Sequence, residues 1–235
     1  MILKPPKGAM LNRGHPLARG LVGCWLINEG GGNLVNDLSG NGKKGTFVNS
    51  PTWAGGKYGP ALKFASASSQ YINYGNVLNM GANQDFTIVI DVHVSVVDKF
   101  ECYIRKWDST DGYFLGKSTT GAGIWYWVLE FDGTVIQGIS TTTPTVGWHQ
   151  LVFVVDRSAY ATLYDNGVIV AGCDLSIAAH AAKDMTNASD LLIGGYSGWY
   201  VDDMISHYCI YNYALSATEM LNLYRSPFCM FEVDL

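Results

Sequence analysis

No run of lysine or arginine occurs anywhere in the chain, and charged residues make up only 15% of it. Binding to nucleic-acid phosphates needs a basic stripe that displaces counterions. With a formal net charge of −5 that stripe is missing, and nucleic acid is set aside as a partner. No stretch approaches the ~20 apolar residues of a membrane span. The opening MILKPPKGAMLNRGHP has charge and proline but no apolar h-region. The expectation is therefore a chain made in the cytoplasm without a signal peptide. The five cysteines (Cys24, Cys102, Cys173, Cys209, Cys229) form no CxxC pair, which argues against a zinc cluster and for free buried thiols in a reducing compartment. Gly-x-Ser-x-Gly is absent as well. Cys209 has His207 two residues away on one strand face, but no third, orienting residue can be named.

Apolar residues make up 48% of the 235, aromatics 13%, and glycine occurs 27 times. Such a composition favours strands and turns around one large core. Residues 1–19, with KPP and RGHP, read as an extended arm. From Gly20 onward, short apolar runs alternate with turns. DFTIVIDVHVSV (85–96) sets Phe86, Ile88, Ile90, Val92 and Val94 on one face and Thr87, Val89, Asp91, His93 and Ser95 on the other. That is a long strand with one face buried. ECYIRKW (101–107), YFLGKS (113–118), IWYWVLEF (124–131), TVIQGIS (134–140), WHQLVFVVD (148–156) and DMISHYCIYN (203–212) continue the series. Asp132-Gly133 and Asn166-Gly167 carry the signature of two-residue hairpin turns. Ser216 stands three residues before Glu219, a capping box that opens one short helix over ATEMLNLYR. About a dozen strands with turns every ~8 to 12 residues predict an all-β sandwich or barrel. The tail after the helix carries Phe228, Met230 and Phe231, which must be covered either by the sandwich or by a neighbouring subunit.

Several stretches taken in order resemble one family. GLVGCWLINEG (20–30), DLSGNGKKGT (37–46), GKYGPALKF (56–64), YINYGN (71–76), FTIVIDV, WHQLVFVVD, LYDNGVIV, LIGG and IYNYALSATEM together look like a laminin-G-like, concanavalin-A-like jelly roll. The resemblance spans roughly residues 20–225 and implies a two-sheet antiparallel jelly-roll sandwich with one short C-terminal helix. It leaves 1–19 as the arm and 226–235 as the tail. LNRGHPLARGLVGCW and LYRSPF are similar to versions of the domain in bacteriophage and prophage virion proteins. That implies a non-catalytic decoration or adhesion module at the virion surface. Its expected partners are other virion or surface proteins, cell-surface glycans, or copies of itself in a homo-oligomer or larger assembly.

The resemblance also implies calcium as a candidate cofactor. Asp37 and Asn41 of the glycine-rich loop, with Asp202, are the candidate ligands, since calcium takes six to eight oxygens. Ser206 stands where the family pattern has its late aspartate, so one anionic ligand is missing. The alternative is a self-bonded Asx turn without an ion. Glycan binding would use aromatics stacked on sugar C–H faces, and Trp199, Tyr200, Trp125, Trp127 and Trp107 are the candidates. Trp25 and Trp148 are assigned to the core. The runner-up is a glycoside hydrolase or polysaccharide lyase acting on a surface polysaccharide, which needs two facing carboxylates. Glu130 and Asp132 lie two apart, but Asp132 belongs to the hairpin turn, and Glu101, Asp202 and Asp203 show no partner in the sequence.

Overall fold

In the computed structural model, which describes residues 2–119 and 123–232, two eight-stranded antiparallel sheets pack face to face. The first runs in the order β15 (Val168–Ser176), β14 (Tyr160–Asp165), β13 (Gly147–Val155), β8 (Phe86–Val94), β17 (Met204–Tyr211), β6 (Gly59–Lys63) and β5 (Thr52–Gly56). β2 (Leu21–Trp25) also pairs with β17, beyond the end of β6. The second sheet runs β12 (Thr134–Ile139), β11 (Ile124–Phe131), β10 (Gly112–Ser118), β9 (Glu101–Trp107), β16 (Leu192–Ile193), β7 (Tyr71–Asn73), β4 (Gly45–Val48) and β3 (Leu34–Val35). The jelly-roll sandwich expected from the sequence is the fold observed.

Both Gly-containing hairpins form as the sequence predicts. Asp132 and Gly133 have φ of 52° and 73°, and Asn166 and Gly167 have φ of 50° and 80°. Two left-handed residues in succession match the right-handed twist of the flanking strands. The capping box is present too: Glu219 N–H donates to Ser216 Oγ at 3.3 Å, and Ser216 N–H donates to Glu219 at 2.8 Å. It opens α1 (Ala217–Arg225).

The main core lies between the sheets and holds all five apolar residues of the inward face of β8. The opposite face of β8 is covered as well. Thr87, Val89 and Asp91 are buried there, in a second apolar layer built from the first sheet, α1, the arm and the tail. Phe228, Met230 and Phe231 pack into that layer, so the tail docks on its own sandwich. The arm contributes Leu17 and meets the tail in a small sheet, β1 (Met10–Leu11) with β18 (Phe231–Glu232). Trp25 is fully buried as expected. Trp148 is only half-buried, because it points to the outer face of the first sheet, edge-on to His93 with ring centroids 5.3 Å apart. Cys24, Cys102, Cys173 and Cys209 are buried free thiols, and Cys229 is partly exposed.

Candidate functional site

The outer face of the second sheet has no such cover among the described residues, and its aromatics form a groove. On β11, Trp125, Trp127, Leu129 and Phe131 face the core, so Tyr126, Val128 and Glu130 face out. On β9 the register slips by one residue: Ile104 opposes Leu115, but Cys102 opposes Gly116. The unopposed Tyr103 makes a β-bulge, which puts Tyr103 and Ile104 together in the core. Cys102 consequently turns outward, against Phe114 and Val128.

The groove, of about 280 Å³, is lined among the described residues by Phe100, Trp107, Phe114, Ile124, Tyr126, Ile139 and Trp199, with Ser118 and Gln137 as polar groups. Trp199 is 37% exposed, and its ring lies 4.5 Å from that of Phe100. The loop bearing it is held, not loose. Trp199 N–H closes a turn on the Tyr196 carbonyl at 2.8 Å, and the Trp199 carbonyl accepts Cys102 N–H at 3.0 Å. Gly198 supplies the left-handed residue (φ 91°) just before the tryptophan. Trp107, another lining residue, donates its indole N–H to Glu130, which fixes the ring. The Tyr126 hydroxyl donates to Gln137 at 2.9 Å, and burial pushes its pKa up. Arg105, buried beside them, lays its guanidinium 3.3 Å from the Tyr196 ring centre and 5.5 Å from that of Trp107. Such stacking favours a cation on an aromatic face. Burial lowers the Arg105 pKa.

Of the predicted glycan residues, Trp199 and Trp107 are brought together here. Tyr200 is not: it lies in a neighbouring depression with Tyr71, Leu192, Tyr196 and Ser197. Trp125 and Trp127 are 2% and 0% exposed and are removed from the binding account. Their strand presents its more apolar set (125, 127, 129, 131) to the core, and that comparison of the two faces is the signal that finds Tyr126 instead. Phe100, Phe114, Arg105 and Gln137 were missed, because only the bulge and the pairing of β9–β12 gather them. The acidic residues also acquire partners. Glu101 lies 3.2 Å from Lys117, Asp202 is 2.7 Å from Lys99, and Asp203 is 2.7 Å from His93. No carboxylate lines the groove among the described residues.

The calcium ligands were tested on the same terms. Asp37 Oδ1 accepts the backbone N–H groups of Cys24 (3.1 Å) and Ser39 (2.9 Å), and Oδ2 accepts that of Lys43 (3.0 Å). This is the self-bonded Asx turn. Asn41 turns its amide N–H groups to the Leu21 and Val22 carbonyls, and the Lys43 ammonium also bonds the Val22 carbonyl, at 3.0 Å. Asp202 is engaged elsewhere, with Ser66 N–H and Lys99. Asp37 and Asn41 are thus bonded around their own loop, while Asp202 is bonded to Ser66 and Lys99, so the three do not share one oxygen shell. In this arrangement they do not fit calcium.

A family profile described as the concanavalin A-like lectin/glucanases superfamily matches residues 66–220. The chain belongs to that superfamily. Among solved structures, the binding domain of Paraclostridial Mosquitocidal Protein 1 is similar at TM-score 0.74 and 20% identity, over 91% of this chain and 53% of that one. Domain 4 of AbnA, a GH43 extracellular arabinanase from Geobacillus stearothermophilus, was solved with arabinotriose. It is similar at TM-score 0.66 and 17% identity, over 92% of this chain and 98% of that domain. The binding domain of Botulinum neurotoxin DC, in complex with SialylT, is similar at TM-score 0.70 and 9% identity, over 89% and 52%. The chain thus spans about half the length of the toxin binding domains it matches. At these identities the likeness is one of fold. No curated protein sequence matches the chain.

Proposed function

We propose that the chain is a non-catalytic carbohydrate-binding module whose site is the aromatic groove on the outer face of the second sheet. The observation that carries this reading is Trp199, over a third exposed and held on a fixed turn, in a groove lined also by Trp107 and by the hydrogen-bonded Tyr126–Gln137 pair. A sugar ring stacks its apolar face on an indole, and hydroxyl and amide groups bond its hydroxyls. Hydrolysis needs two carboxyl groups ~5 to 9.5 Å apart across the cleft, and the described lining offers none. Two solved domains of this fold carry arabinotriose and SialylT, which supports a glycan ligand. A setting on a virion or another surface assembly rests on the resemblance of the two terminal stretches, and is part of the proposal.

The test is a glycan array followed by titration on the best ligand, with Trp199→Ala beside the native protein. Loss of one stacked ring should weaken binding about tenfold with little change in melting. Equal binding by both proteins would remove the groove from the account.

A further inference from the structure

The edge of β17 has a gap in its ladder. β6 pairs with Met204 and Ile205, and β2 pairs from Tyr208 to Tyr211. Ser206 and His207 fall between the two in the register. Three carbonyls collect at this junction: that of Ser206, that of Pro60 on β6, and that of Ile27 just past β2. Ile27 is a fully buried β-branched residue held at φ 51°, an uncommon conformation for its type. A buried carbonyl without a donor is costly. Here one group serves all three. The Lys4 ammonium donates to Ser206 at 2.7 Å, to Ile27 at 3.2 Å, and to Pro60. An ammonium has three N–H donors and no acceptor, so the match is complete. The Lys4 backbone N–H also donates to the Tyr58 carbonyl at 2.9 Å.

Near this cage lie buried polar atoms without a well-aligned hydrogen bond. Asp91 is fully buried, and neither of its oxygens has a well-aligned hydrogen bond, although His207 Nδ1 is 2.9 Å from one and Lys57 Nζ 3.8 Å from the other. The Ser206 hydroxyl is buried and unpartnered as well. Asp91 is the leading charge that favours the charged form of Lys4, while burial opposes it and draws the lysine down to about 7.

We propose that the Ile27, Pro60 and Ser206 carbonyls, backed by Asp91, form a receptor for a primary ammonium ion, which the chain fills with its own Lys4. The N-terminal arm is then a tethered plug, and with Lys4 removed the cage takes a free alkylammonium from solution. The ligand class follows from the donors the cage needs: three N–H groups on one small cation.

The experiment is chemical rescue of Lys4→Ala near pH 6, where the native lysine is charged. Native and variant proteins are melted in methylammonium chloride and in tetramethylammonium chloride, each at about 100 mM. The variant should melt lower than the native protein, and methylammonium should raise it by roughly 2–4 °C. Tetramethylammonium, which has no N–H, should not raise it, and the native protein should respond to neither. Should the variant fail to fold alone, refolding with the two salts offers the same contrast, with recovery in methylammonium only. Equal effects of the two salts, equal effects on the two proteins, no recovery, or rescue by calcium chloride in place of methylammonium would each overturn the proposal.

Discussion

His149 shows how a single residue carries a pH response. Its Nδ1 lies 2.8 Å from both Asp165 oxygens, and its Nε2 lies 2.8 Å from the Thr145 carbonyl. The Thr145 carbonyl only accepts, so Nε2 donates to it, and the carboxylate at Nδ1 favours a second proton on the ring. Burial pulls the His149 pKa down, but the hydrogen bond and charge of Asp165, with the Thr145 carbonyl, outweigh it and set the pKa above the ordinary 6.5. A pKa raised by folding gives stability that is full below the unfolded value and is lost as pH rises through the folded one. The melting temperature of the native protein, relative to His149→Gln, should therefore be highest below the ordinary imidazole range and fall as the pH rises above it. A constant difference would refute that linkage. At the same scale, the sequence showed that Trp125 and Trp127 share a face, but which face looks inward depends on the sheet that packs against it.

At the scale of the element, the local signals held wherever they were self-contained. The Asp-Gly and Asn-Gly hairpins and the Ser216–Glu219 box need only neighbours within a few residues. Removing the cap by Ser216→Ala should cost about 1 kcal/mol, a drop of roughly 2–4 °C for a chain of this size. Thermal melting followed by circular dichroism would read it, and an unchanged midpoint would show that the box adds nothing beyond the packing of Met220 and Leu223. The bulge in β9 and the gap along β17 left no such trace. Each arises from pairing between strands far apart in the chain, yet the first aims Arg105 and Cys102 outward and the second assembles the carbonyls around Lys4.

For the whole molecule, the arm and the tail change the meaning of the first sheet. A sandwich with an open outer face would leave Val89, Val152 and Val154 in water, and here α1, Leu17 and the tail cover them. Phe228, Met230 and Phe231 are each under a tenth exposed, and burying such a side chain contributes about 1.5–3 kcal/mol. Deleting residues 226–235 should lower the melting temperature by roughly 10 °C or more. It should also expose an apolar patch that raises the mass seen by light scattering. A deletion variant that melts like the native protein would mean the tail is not part of the core. With one sheet covered in this way, the groove lies on the outer face of the other, which the described arm, helix and tail do not reach.

The sequence by itself determined the layered all-β fold, the turns, the helix and its cap, because these follow from alternation and short-range backbone chemistry. It also marked Trp199 and Trp107 as binding candidates. Only the tertiary structure decided which aromatics share the groove, that Asp37 closes on its own loop, and that Lys4 sits among three carbonyls. The physical reason is sequence separation: Trp199 meets Phe100, and Lys4 meets Ser206, only after strands from opposite ends of the chain have paired.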